Sequence, residues 1–228
     1  MVSQNRFRYR CFFLIIGFSV AYQFTFNHKR NIPNMDPINI IVGLNIITSF
    51  GANLTGAKKG LKSTVTPVKE RPKTYLQKLP LVLATLSLIA LILAVFQLGT
   101  LNYVKNANLN NFRLAGLVVY VCFSWIQIWA YKSLGESYSQ DMVIFKDHKL
   151  ADKGPFKMIR HPQYLSQILV DVGGGFATLS YILIPIAIVQ IPILIMRAAF
   201  EEKLLSKHFN EEFEQYKKSR GFMIPFVG

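Results

Sequence analysis

The chain has 228 residues, about half of them apolar, and a formal charge of +14. A positive mean hydropathy beside that much charge means that the charges are gathered outside long apolar runs. This pattern points to one good-sized polytopic membrane protein with basic loops against an anionic leaflet. It argues against a nucleic-acid binder, which would not commit residues 79–98 to unbroken hydrocarbon. Both cysteines, Cys11 and Cys122, lie inside apolar stretches, so no disulfide framework and no metal site is expected.

In chain order, Arg6, Arg8 and Arg10 precede an apolar run over 11–26, the pattern of a signal peptide or signal anchor. No small-residue cleavage site follows, so a retained helix is favoured. The next apolar run, 38–54, contains glycine and is short against the roughly 20 residues a span needs, so it crosses the bilayer or lies in the interface. Residues 58–78 carry seven basic side chains and one acid, Glu70, and read as a cytoplasmic loop by the positive-inside rule. Residues 79–98 then cross outward and 114–131 cross back. Trp125, Trp129 and Tyr131 gather toward the inner end of the latter, either as interfacial aromatics or as ordinary packing.

Residues 132–160 are again cytoplasmic and are the least membrane-like part of the second half. Pro162 suits the first turn of a helix, where a missing amide proton is tolerated. That helix rises to about Thr178 and 179–196 descends, with the fold-back near Gly173, Gly174 and Gly175 and with Pro185 and Pro192 available as kinks. From Glu201 the chain is polar, and Phe209, Phe213 and Tyr216 recur near helical spacing, as in an amphipathic tail helix. The expected fold is all-α: a transmembrane helical bundle of about five to six spans, with a C-terminal helical hairpin and a cytoplasmic amphipathic tail helix. Its two parts are residues 1–78, membrane segments and basic loop, and residues 79–228.

The hairpin returns two polar clusters to one end. Arg160 and His161 stand at a helix start beside the membrane surface. In isolation such a pair reads as a snorkelling anchor, but Tyr164 one turn on makes several polar groups converge on free amide protons and a positive dipole. Arg197 and Glu201, four apart, share a helix face at the membrane boundary, where ionisable residues are functional candidates by default. Glu202 points about a quarter-turn away, toward solvent. Asp171, an acid within the apolar run, reads first as a structural group paired across a close helix contact.

Leu134-Gly135-Glu136-Ser137, His148-Lys149-Leu150, Gly154-Pro155-Phe156, Arg160-His161-Pro162-Gln163-Tyr164, Arg197 with Glu201-Glu202, and Phe209, Tyr216 and Pro225 together resemble the isoprenylcysteine carboxyl methyltransferase family. The resemblance covers about residues 79–228. The Arg-His-Pro-x-Tyr unit alone is less specific, since phospholipid methyltransferases and sterol reductases carry relatives of it. The resemblance implies an integral membrane enzyme that binds S-adenosylmethionine on its cytoplasmic face and methylates the carboxylate of a lipidated substrate. It implies cofactor contacts from His148, Lys149, Leu150, Ala151, Phe156, His161, Pro162, Gln163, Tyr164 and Glu201. Arg197 then matches the catalytic arginine that holds the substrate carboxylate, with Arg160 a second substrate contact. Phe156 stands where the family usually has tyrosine, and Ser166 where it commonly has glycine.

Overall fold

The computed structural model describes residues 36–63, 68–134, 139, 141–145, 150–225 and 227. The apolar run 11–26 and the site candidates His148 and Lys149 lie outside the described residues. Those described contain five α-helices: α1 (Pro37–Ser63), α2 (Leu79–Val95), α3 (Asn110–Leu134), α4 (Pro162–Thr178) and α5 (Leu183–Ser219). Among them, three stretches are long and apolar enough to cross a membrane: Tyr75–Val95, Ala107–Leu134 and Leu183–Ser219. The apolar part of α1, Pro37–Asn53, is shorter.

The helices bury polar groups and expose apolar ones. On α2, Leu81, Val82, Leu86 and Ile89 face outward, while Ser87 and Ala90 are buried. That inversion suits hydrocarbon surroundings, where a polar group turned outward has no water to bond. Inside, Asn39 of α1 donates to Ala94 O of α2 (2.9 Å) and Asn45 donates to Ser124 Oγ of α3 (2.8 Å). Buried Arg113 of α3 pairs with Asp36 and donates through Nε to Ala177 O of α4 (3.1 Å), tying three elements together at the end of α4 remote from the Arg-His-Pro unit.

The α4 helix is the central one, with only Phe176 exposed along its length. Its closest neighbour is α3, because Gly116 and Gly173 let the two backbones meet. A Cβ added to Gly173 would lie 2.7 Å from Tyr120 N and 2.8 Å from Gly116 O. The triple glycine is therefore a helix-packing surface inside α4, and the chain does not fold back there as the sequence suggested. The reversal falls at 179–182. Leu179 adopts a left-handed conformation (φ 52°) that ends α4, and the Ser180 hydroxyl accepts from Leu183 N (3.1 Å) at the start of α5.

Three further expectations change. The basic stretch begins inside α1, which runs to Ser63 and so includes Lys58, Lys59 and Lys62. Its continuation is not all loop: β1 (Val68–Glu70) pairs antiparallel with β2 (Ile144–Phe145), so the described residues add a short ribbon to the helices. The tail from Glu201 begins inside α5, whose regular backbone breaks at Asn210 (φ 44°, ψ −116°), and a further helical stretch follows that kink.

Candidate active site

The hairpin of α4 and α5 brings the two polar clusters into contact. Arg197 Nε donates to Tyr164 Oη at 2.9 Å and to Glu201 Oε1 at 3.3 Å, and the Tyr164 hydroxyl in turn donates to Glu201. Arg197 also reaches Leu76 O (3.3 Å) in the turn before α2. The Arg197 guanidinium thus lies buried against Tyr164, and its Nε is shared between the Tyr164 hydroxyl and the carboxylate of Glu201. One turn of α5 produces this geometry, since side chains four apart stack along one helix face.

Glu202 turns mostly inward, its side chain 13% exposed. Its Oε1 accepts from Arg160 Nε at 2.6 Å and lies 3.1 Å from His161 Nε2. Arg160 and His161 at the start of α4 draw it inward from α5, a pull that helical spacing alone does not reveal. Arg160 is itself tied to the carbonyls of Lys217 and Arg220, which fastens the C-terminal strap to the site. The strap is also held by backbone bonds from Arg160 N to Gly221 O (2.8 Å) and from His161 N to Phe222 O (3.1 Å), and Phe222 packs its ring edge-on to His161. Arg160, expected as a substrate contact, therefore works first as the anchor of this wall.

Before α4, the Gly154-Pro155-Phe156 turn seats against α3. Gly154 has φ 58°, and a Cβ there would lie 2.2 Å from Ser133 Oγ and 3.0 Å from Trp129 Nε1, so only glycine fits. The turn places buried Phe156 in the wall of a cleft of about 120 Å³. Leu150, Ala151, Arg160, His161, Gln163 and Glu201 share that wall. Opposite them stand Leu204, Phe213 and Tyr216 of α5.

A second cavity lies between α2, α4 and α5 and is lined by Tyr164, Gln167, Gln190, Leu194 and Arg197. Gln163 and Ser139 line both cavities, so the two adjoin. The second cavity in turn shares Ala84, Tyr131 and Gln167 with a wide groove between α1, α2, α3 and α4. Of the expected cofactor contacts, Leu150, Ala151, Phe156, His161, Gln163 and Glu201 converge on the cleft, whereas Tyr164 turns to the second cavity beside Arg197. Pro162 is buried at the first turn of α4 and lines neither.

Many of the residues that line both cavities fall in one matched segment. Residues 112–212 match the phospholipid methyltransferase family. The matched segment holds most of α3, the Gly-Pro-Phe turn, α4 and α5 through Glu212. No curated protein matches the chain. Among solved structures, a eukaryotic intramembrane Ras methyltransferase, an isoprenylcysteine carboxyl methyltransferase, is similar with 19% identity and a TM-score of 0.49. The similarity covers 64% of this chain and 52% of that one, so the chain spans about half the length of the protein it resembles.

Several residues of the cleft carry no strong sequence signal. Met142 and Val143, which line the cleft, lie in an unremarkable loop. They are placed by the β1–β2 ribbon and by Gln77, which donates to Met142 O and accepts from Met142 N, both at 2.9 Å. Phe213 and Tyr216 did have a signal in their helical spacing. Their rings stack 5.9 Å apart, and the Tyr216 hydroxyl donates to Ala151 O (2.9 Å), closing the cleft from the tail side.

Proposed function

We propose that the protein is an S-adenosylmethionine-dependent methyltransferase that O-methylates the carboxylate of a lipidated substrate at the cytoplasmic face of its membrane. The observation that carries this reading is the division of labour on one turn of α5: Glu201 faces the cleft while Arg197, four residues earlier, faces the adjoining cavity.

The cleft fits the cofactor in its donor set. Glu201 offers a carboxylate for the cofactor's cationic groups, Phe156, Phe213 and Tyr216 offer aromatic faces for an adenine, and Gln163 offers an amide at the boundary with the second cavity. When bound there, S-adenosylmethionine supplies a methyl group already activated on a sulfonium.

The acceptor site follows from charge. Arg160 and Arg197 are balanced by Glu201 and Glu202, so the buried cluster admits one further cation and one further anion without net charge. Arg197 can hold a carboxylate through two parallel hydrogen bonds. A carboxylate is ionised at neutral pH, and no general base is required of the protein. Alignment by Arg197 and exclusion of water by the walls of α2, α4 and α5 are its contribution, worth several kcal/mol together. The groove between α1, α2, α3 and α4 gives a lipid chain a lateral way in.

A second reading, N-methylation of a phospholipid amine, is favoured by the description of the matching family. Incubating the purified protein with methyl-labelled S-adenosylmethionine and a panel of lipidated carboxylates and amines separates the two. A carboxylate acceptor gives a methyl ester whose label is released by mild alkali. Alkali-stable label found only on amines would overturn the carboxylate reading.

A further inference from the structure

The cavity that holds Arg197 also contains a polar group that no described residue satisfies. Gln190 of α5 is 1% exposed. Ser87 Oγ of α2 donates to its Oε1 at 3.2 Å, while its Nε2 has no partner among the described residues. Gln190 lines the cavity together with Gln167, Tyr164 and Arg197. A buried amide donor left without a bond costs about 1–3 kcal/mol, and the cost rises in a membrane interior where water does not supply the bond. Leucine or methionine of similar volume would fill the position without that cost. An unpaired donor on a residue that lines the acceptor cavity is what a site needs when its ligand brings the missing acceptor.

Its position sets the ligand's geometry. Gln190 lies seven residues before Arg197 on the same helix, two turns or about 10 Å deeper along the axis. Resting on the reading of this cavity as the acceptor site, we propose that Gln190 is a specificity-determining residue. It selects lipid acceptors that carry an oxygen, as ester carbonyl, ketone, ether or hydroxyl, about 10 Å from the group that is methylated, over acceptors that are pure hydrocarbon at that depth. The Gln190 Nε2 proton is donated to that oxygen, and a methylene in its place leaves the amide unpaired.

The test uses pairs of synthetic lipids that differ only in an oxygen function or a methylene group at that distance, one pair with a carboxylate head and one with an amine head. Methyl transfer from labelled S-adenosylmethionine is measured as kcat/KM on the full-length protein in detergent. Wild type is expected to favour the oxygen-bearing member by about tenfold, mainly through KM. Gln190→Leu is expected to bring the ratio close to one, by losing ground on the oxygen-bearing member. The wild-type ratio needs no variant and stands even if the leucine variant misfolds. A wild-type ratio near one, or a ratio that Gln190→Leu leaves intact, overturns the proposal. Turnover confined to the amine pair would refute the carboxylate reading yet leave the ratio, and with it Gln190, to be scored on the amines. Absence of transfer to either head group overturns both.

Discussion

Glu202 illustrates how a single side chain decides the integrity of the site. Its carboxylate joins Arg160 and His161 across the gap between α4 and α5, in a place where water screens little. Removing one member of such a pair leaves the other charge buried and uncompensated, which costs about 3–5 kcal/mol. Glu202→Ala is therefore expected to lower the melting temperature of the detergent-solubilised protein markedly, and Arg160→Met combined with Glu202→Leu to recover much of the loss. A single variant as stable as wild type would show that the pair is solvated. The Arg197–Tyr164–Glu201 cluster, by contrast, is assigned to function, because its members face two different cavities.

At the scale of elements, the glycines separate packing from mere flexibility. A methyl group added at Gly173 meets the backbone of α3 at under 3 Å, while one added at Gly51 of α1 meets nothing within 4 Å. Gly173→Ala should thus destabilise by about 1–3 kcal/mol, the usual cost of overpacking, whereas Gly51→Ala should stabilise by up to about 1 kcal/mol through helix propensity. Thermal unfolding of the two variants with the same readout checks the opposite signs. The β1 strand supplies a pH-dependent element. Glu70 accepts from Lys207 Nζ (3.0 Å) and lies 2.9 Å from His208 Nε2, and these hydrogen bonds hold its carboxyl below the ordinary carboxylate range. A depressed carboxyl stabilises the folded form above its unfolded pKa, and the contribution is lost as pH falls through the lowered folded value. Hydrogen-exchange protection of Val68 to Glu70 should hold at neutral pH, fall in acid, and be reduced at neutral pH in Glu70→Gln. Equal protection in the variant and wild type at neutral pH would remove Glu70 as the tether.

At the scale of the whole molecule, much of the plan was legible in the primary structure because it rests on strong, local signals. Long apolar runs mark α2, α3 and α5, Pro162 marks the start of α4, and the Arg-His-Pro-x-Tyr and Arg197–Glu201 clusters can share one end only if the chain between them doubles back. The errors were made where tertiary contacts override local pattern. Glycines that read as a turn serve the α3–α4 contact, and Glu202 swings toward Arg160 and His161 at the start of another helix. The ribbon of β1 and β2 joins segments some 75 residues apart, which no local pattern announces. Gln190 escaped notice for a similar reason: a lone glutamine in an apolar run carries no meaning until its cavity is seen.

The division of the site between Glu201 and Arg197 is tested most directly by equilibrium binding of labelled S-adenosylmethionine to wild type, Glu201→Gln and Arg197→Ala, with turnover of a lipidated carboxylate measured on the same preparations. Glu201→Gln is expected to weaken cofactor binding by about tenfold or more, through loss of a charge-assisted contact. Arg197→Ala is expected to leave cofactor binding within about threefold while lowering turnover by about a hundredfold, the scale of removing one positioned charge. Equal loss of cofactor binding in both variants, or full turnover without Arg197, would contradict the account.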